Sequence, residues 1–208
     1  MRFVLASRNA HKLAEYRAIL APHDVAAMPA GIELPPEGTE SFEANARGKA
    51  EGLARALAGA PAAADPSTVV IADDSGIEVA ALGGAPGVIS ARYAGREGDD
   101  VANNDRLLTE LRALPGEHDR AARFVCVIAF VAGADGADGA AELVRGEWPG
   151  AIVTAPRGVG GFGYDPLFVP SGSALAVAEM SEADKNNQSH RARAARALLA
   201  RLAPGSPP

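Results

Sequence analysis

TVVIADDSG, residues 68–76, is an apolar, β-branched run that closes on two adjacent carboxylates and then a serine and a glycine. The run reads as a buried strand expected to end at Asp73 and Asp74, and in α/β proteins ligands bind at the carboxyl ends of strands. Two like charges side by side are unfavourable unless cations or hydrogen-bond donors compensate them. The pair is therefore either an Asx-turn finishing the strand or part of a site in which a divalent ion and a phosphate share the acids.

Outward from this strand, short apolar runs alternate with helical periods. RFVLA (residues 2–6) predicts a first strand. NAHKLAEYRAIL predicts a helix capped by Asn9, with Leu13, Tyr16 and Leu20 apolar. Residues 22–40, rich in proline and glycine, read as loop or edge strand. A helix from about Ser41 puts Phe42, Ala46, Leu53 and Leu57 on one face, while Asn45 and Lys49, four apart, share another. After a connection at 59–66 and the strand come a helix at 101–114 capped by Asp99 or Asp100, and strands at 123–132 and 143–148 joined by GADGADG at 133–139. A last helix starts near Ser189, with Ala192, Ala195, Leu199 and Leu202 in one stripe. The fold class is α/β with a mixed sheet, in one domain over residues 1–203 followed by a flexible tail at 204–208.

Composition narrows the function classes. Of 208 residues, 48% are apolar and 22% charged, which excludes disorder, and the longest apolar run, Phe124 to Ala132, is far short of the roughly 20 residues that span a bilayer. MRFVLASRN lacks a secretory apolar core, so a cytoplasmic protein without a membrane partner is expected. The net charge of −6 argues against a nucleic-acid surface. Cys126 is the single cysteine and reads as a buried, inert thiol. No G-x-x-x-x-G-K-[ST] loop occurs, GVGGFGYD (158–165) is not followed by a helix, and His11, His23, His118 and His190 have no zinc spacing. The remaining inventory suits a hard ion and phosphate: Glu37, Glu40, Glu43, Asp73, Asp74 and Asp165 against Lys12, Lys49, Lys185 and Arg191.

Each group has two readings. Lys12 is an exposed helical lysine or, at a strand-loop-helix junction, an anion ligand. Lys49 is a solvated helix residue or a phosphate contact. GGFGYDPLF is a tight turn with core aromatics, or a platform on which a base stacks. KNNQSHR is the start of an ordinary helix, or it fixes His190 and Arg191 as donors to a ring carbonyl or phosphate.

The blocks SRNAHKLAE (7–15), ESFEANARGKA (40–50), ADDSGIEVAALGGAPGVISARYAG (72–95), GFGYDPLF (161–168) and KNNQSHR (185–191) resemble, in order, those of the Ham1/inosine triphosphatase family of nucleoside triphosphate pyrophosphatases. The resemblance implies an elongated α/β fold with a mixed twisted sheet, flanking helices, two lobes around a central substrate cleft, and a homodimer. It implies Mg²⁺-dependent hydrolysis of purine triphosphates with a 6-keto group, such as ITP, dITP and XTP, to monophosphate and pyrophosphate. It assigns Ser7, Arg8, Asn9, Ala10, His11 and Lys12 to the triphosphate loop, and Lys49 as a further phosphate contact. Glu37 and Asp74 would serve Mg²⁺, with Asp74 also the general base and Ser75 a substrate contact. Phe162 would stack on the base beside Gly163, Tyr164 and Asp165, and Lys185, His190 and Arg191 would complete the nucleoside pocket.

Three positions depart from the family pattern. Arg8 stands where glycine is usual, Glu43 lies one residue after Phe42 instead of two, leaving Ala44 at the matching place, and EGT at 37–39 replaces E-T-G. Two other functions use the same inventory: a general nucleotide or sugar-phosphate phosphatase, and a nucleotide-binding module without hydrolysis.

Overall fold

The computed structural model describes residues 1–58, 68–116, 119–132 and 140–203. Its strands are β1 (Arg2–Leu5), β2 (Asp24–Ala27), β3 (Thr68–Val79), β4 (Ala121–Ala132), β5 (Glu142–Ile152) and β6 (Phe168–Pro170). The helices are α1 (Ala10–Ile19), α2 (Phe42–Leu57), α3 (Asp100–Ala113), α4 (Glu182–Gln188) and α5 (His190–Leu202). The strands form a six-stranded sheet in the order β2-β1-β3-β4-β5-β6. Strand β1 is parallel to both β2 and β3, and β5 is antiparallel to β6, so the sheet is mixed as expected.

The chain divides into two compact units, one comprising Met1–Asp74, Cys126–Gly146 and Arg191–Pro208, the other Ser75–Val125 and Glu147–His190. Each has its own apolar core. In the first, Phe3, Leu5, Tyr16, Ile71, Ile128 and Leu198 are packed together with exposures of 0%. In the second, Ile77, Leu107, Leu111, Trp148, Leu167 and Phe168 are buried together. There the Phe168 ring meets Phe124 and Trp148 edge-on, with centroids 4.7 Å and 5.8 Å apart. Such tilted pairs set the positive edge of one ring against the negative face of the other.

Helix starts follow the sequence. Asn9 Oδ1 accepts from His11 N at 2.9 Å and Lys12 N at 3.1 Å, Ser41 Oγ from Ala44 N at 3.0 Å, and Asp99 Oδ1 from Ala102 N at 3.2 Å. Each cap satisfies amide donors that have no partner within the helix.

One expectation is corrected. Strand β3 does not stop at the acids but runs on to Val79, so Asp73 and Asp74 lie in mid-strand. The Ser75-Gly76 turn signal is overridden because Ile77 and Val79 are each 0% exposed and belong to a core. The last helix, α5, starts at His190 beside the expected Ser189, and an additional short helix, α4, capped by Ser181, precedes it and is separated from it at Ser189, whose ψ of 162° breaks the helical path. The expected connections at 59–66 and 133–139, the tail at 204–208, and His118 lie outside the described residues.

Candidate active site

The parallel register sets up the acid pair. Leu5 lies opposite Ile71, and Ala6 N donates to Ile71 O at 2.8 Å, so the loop leaving β1 passes alongside the acids before α1 begins. Neighbouring side chains on a strand point to opposite faces, and the two acids accordingly have different partners. Asp73 Oδ1 is 3.1 Å from Lys12 Nζ, while its Oδ2 is 3.3 Å from Arg191 Nε. Asp74 Oδ2 accepts from Asn45 Nδ2 at 2.9 Å, and its Oδ1 is 3.7 Å from Lys49 Nζ. Alternation thus relieves the repulsion that adjacency threatened.

Around Asp73 the chain builds a buried network. Arg191 Nη1 donates to Glu15 Oε2 at 2.8 Å, Cys126 Sγ lies 4.0 Å from Asp73 Oδ2, and Tyr16 Oη lies 3.6 Å from that sulfur. Burial alone pushes the Asp73 carboxyl up, but Lys12, Arg191 and Lys49 outweigh it and hold the group well below the usual carboxylate range. Burial, with the Asp73 charge behind it, pushes the Cys126 thiol up to about 12, which makes it the inert thiol expected. Asp73 is a permanent anion that anchors cations.

Asp74 is different. Burial raises its pKa, Lys49 works against that, and the nearby Glu37 charge adds to it, leaving the group above an ordinary aspartate. Glu37 also accepts from Lys49 Nζ, so one ammonium serves both carboxylates. Burial pulls Lys49 down, yet Asp74, Asp73 and Glu37 outweigh it and its pKa is raised. Of the three candidate glutamates, Glu43 instead pairs with Arg145 at 2.8 Å. Two carboxylates converging on one cation are hard oxygen donors of the kind Mg²⁺ takes.

The second unit holds another cluster, built on the 161–165 turn. Asp165 Oδ2 accepts from Phe162 N at 2.9 Å and from Lys185 Nζ at 2.6 Å, and that ammonium lies 4.6 Å from the centre of the half-buried Phe162 ring. Gly161 is obligatory, because its φ is +73° and an added Cβ would stand 2.0 Å from Asp165 Oδ2. Tyr164 is a core aromatic whose hydroxyl donates to Ser90 O at 2.9 Å. The expected tight turn with a core aromatic is thus met by Tyr164, while the Phe162 ring stays outside that core cluster. His190 stacks on Phe124, with centroids 4.8 Å apart and planes at 12°.

The structure therefore gathers Lys12, Lys49, Asp74, Glu37 and Arg191 in one unit, and Phe162, Gly163, Tyr164, Asp165, Lys185 and His190 in the other. Ser75 follows Asp74 in β3 and is half-buried. Ser7 Oγ accepts from Asn9 N at 3.2 Å, and Arg8, Asn9, Ala10 and His11 are exposed. Asn9 Oδ1 already occupies the amides of His11 and Lys12, and the Lys12 ammonium pairs with Asp73. Arg8 has no positive φ, since among the described residues only glycines do, and its Nη2 donates to Ile32 O at 2.8 Å. The replacement of glycine is therefore accommodated without strain.

Sequence reasoning missed three contributors. Asn45 shares a helix face with Lys49 but carries no assigned role there, Glu15 is the second partner of Arg191, and Asp73, counted among the acids for an ion and phosphate, is instead the anion between Lys12 and Arg191. The four-residue spacing of Asn45 and Lys49 was the available signal for the first. The other two depend on contacts across more than 50 residues of sequence.

A mixed-sheet α/β protein with two buried acids, each matched to its own lysine, is the class that this fold and site define. The chain belongs to the Ham1 family, matching it over residues 3–201. It is 48% identical to a dITP/XTP pyrophosphatase of Nocardia farcinica, over 97% of this chain and 95% of that one. A dITP/XTP pyrophosphatase of Ralstonia nicotianae is 47% identical, over 97% and 96%. The solved structure of a HAM1 protein from Coxiella burnetii is similar with a TM-score of 0.82 at 35% identity, covering 97% of this chain and 98% of that one.

Proposed function

We propose that the protein hydrolyses non-standard purine nucleoside triphosphates, ITP, dITP and XTP among them, to the monophosphate and pyrophosphate. The observation that carries this reading is Asp74: a buried carboxylate with a raised pKa, oriented by Asn45 and flanked by Lys49 and Glu37. The names of the relatives supply the substrate class.

In this mechanism Asp74 takes the proton of a water that attacks the α-phosphorus. Its raised pKa makes it a stronger base than an ordinary aspartate, and the Asn45 amide fixes the plane of the carboxylate. Lys12 and Lys49 bind the phosphates, and their fixed charges stabilise negative charge growing on the leaving pyrophosphate without reorganisation. Asp74 and Glu37 would hold Mg²⁺, which when bound neutralises phosphoryl oxygens and acidifies water. Phe162 receives the base on its ring, with Gly163 and Tyr164 shaping the turn, and Asp165 and Lys185 hold that ring in place. Ser7, Arg8, Asn9, Ala10 and His11 line the triphosphate loop, Ser75 contacts the substrate, and His190 faces the nucleoside. Arg191, tied to Asp73 and Glu15, supports the phosphate end more than the base. The resemblance also implies a homodimer acting in the cytoplasm without nucleic acid or membrane partners. No described helix is long and apolar enough to cross a membrane, and light scattering tests the dimer.

The deciding experiment is a triphosphate panel with Mg²⁺ in which monophosphate, pyrophosphate and orthophosphate are all quantified. Equimolar monophosphate and pyrophosphate from ITP, dITP and XTP supports the proposal. Successive orthophosphate release identifies a general phosphatase, and binding without turnover a nucleotide-binding module.

A further inference from the structure

The 161–165 turn is held from inside by Asp165 and from outside by helix α3. Asp100 and Asn104 lie one turn apart on that helix, and both reach the same residue of the turn. Gly163 N donates to Asp100 Oδ2 at 2.7 Å, and Gly163 O accepts from Asn104 Nδ2 at 3.0 Å. Residues four apart on a helix share a face, so this pair forms a two-point clamp on one backbone residue. Asn104 is 8% exposed and Gly163 has a φ of +64°.

The position of the clamp gives it a purpose. The peptide before the Phe162 α-carbon has its N–H held by Asp165, at 2.9 Å. The peptide after it has its N–H, that of Gly163, held by Asp100. With the N–H of both flanking peptides held, the direction of the Phe162 Cα–Cβ bond is restrained as well, and the half-buried ring is aimed by these backbone contacts together with the Lys185 ammonium 4.6 Å from its centre. A stacking surface that is already ordered loses little conformational freedom when a flat ligand settles on it.

We propose that Asp100 and Asn104 are positioning residues that aim Phe162 at the purine, and so set the preference of the protein for triphosphates that carry a base. This rests on the proposed stacking role of Phe162. The quantity to measure is the ratio of kcat/KM for ITP to that for ribose 5′-triphosphate, which has the same phosphates and no base. A lost stacking contact lowers binding by roughly 10-fold, so Phe162→Ala is expected to lower the ratio by about that factor, through KM and not kcat. Asp100→Ala and Asn104→Ala each lower it in the same way. Asp100→Asn retains an acceptor for Gly163 N and recovers most of the loss.

In the double variant Asp100→Ala/Phe162→Ala the ratio falls no further than in Phe162→Ala, because the clamp acts only through the ring. Thermal melts confirm folding, and if Asp100→Ala does not fold, Asn104→Ala alone and with Phe162→Ala carries the same comparison. A clamp variant with an unchanged ratio while Phe162→Ala lowers it overturns the clamp and leaves the stacking role standing, and so does additive loss in the double variant. An unchanged ratio in Phe162→Ala overturns the stacking role and the clamp together.

Discussion

Asp73 and Asp74 are adjacent in sequence and opposite in character, and substituting each by its amide separates the roles. Asp74→Asn keeps shape but removes the group proposed to take the water proton, so kcat is expected to fall by about 10² to 10⁴-fold while the fold and triphosphate affinity persist. A folded variant with undiminished kcat removes Asp74 from that role. Asp73→Asn instead strikes stability. It leaves Lys12 and Arg191 without their shared buried anion, a loss of about 3 kcal/mol in denaturant unfolding at neutral pH. The sign with pH follows from the depressed folded-state pKa. The contribution of the carboxylate is present above the unfolded value of about 3.9 and fades as pH falls towards the folded value, so the gap between wild type and variant narrows in acid. At Glu37, replacement by Gln removes a hard ligand and a charge that raises Asp74. The Mg²⁺ needed for half activity is expected to rise, and the acid limb of the kcat profile to move to lower pH. If neither moves, Glu37 is not the metal-serving glutamate.

Elements show where sequence reading succeeds. Caps are local, and Asn9, Ser41 and Asp99 each bond amides two or three residues away, so the starts of α1, α2 and α3 were legible from residue type and spacing. Replacing Ser41 by Ala is expected to lower stability by about 1 kcal/mol in chemical denaturation without altering the Mg²⁺ requirement. What failed to show was tertiary in origin. The continuation of β3 through Ser75 and Gly76 is set by the burial of Ile77 and Val79, which no turn propensity contains. Helix α4 is seven residues long and mostly polar, below the length at which periodicity stands out. The glycine-rich turn was half legible: its composition announced a turn around aromatics, but that Tyr164 goes to the core and Phe162 stays at its edge depends on Asp165 lying three residues on and folding back. Gly161→Ala is expected to abolish the turn and with it ITP hydrolysis, read against a retained circular dichroism spectrum.

On the scale of the whole molecule, composition and alternation conveyed a mixed-sheet α/β chain and the ordered blocks conveyed its family, while the division of the acids between two sets of partners needed three dimensions. The two cores supply a last consequence. Nature has placed one indole, Trp148, in the second unit and one thiol, Cys126, in the first, and each is unique in the sequence. They are native reporters that need no engineering: tryptophan emission follows the loosening of one half of the chain, and alkylation of the cysteine follows the other. With its acidity suppressed to about 12 and its surface fully covered, the thiol reacts only when its surroundings open, so its labelling rate counts opening events. Because β3, β4 and β5 each pass from one unit's residues into the other's, both signals are expected to change at a single denaturant midpoint. Separate midpoints would reveal two halves that melt independently.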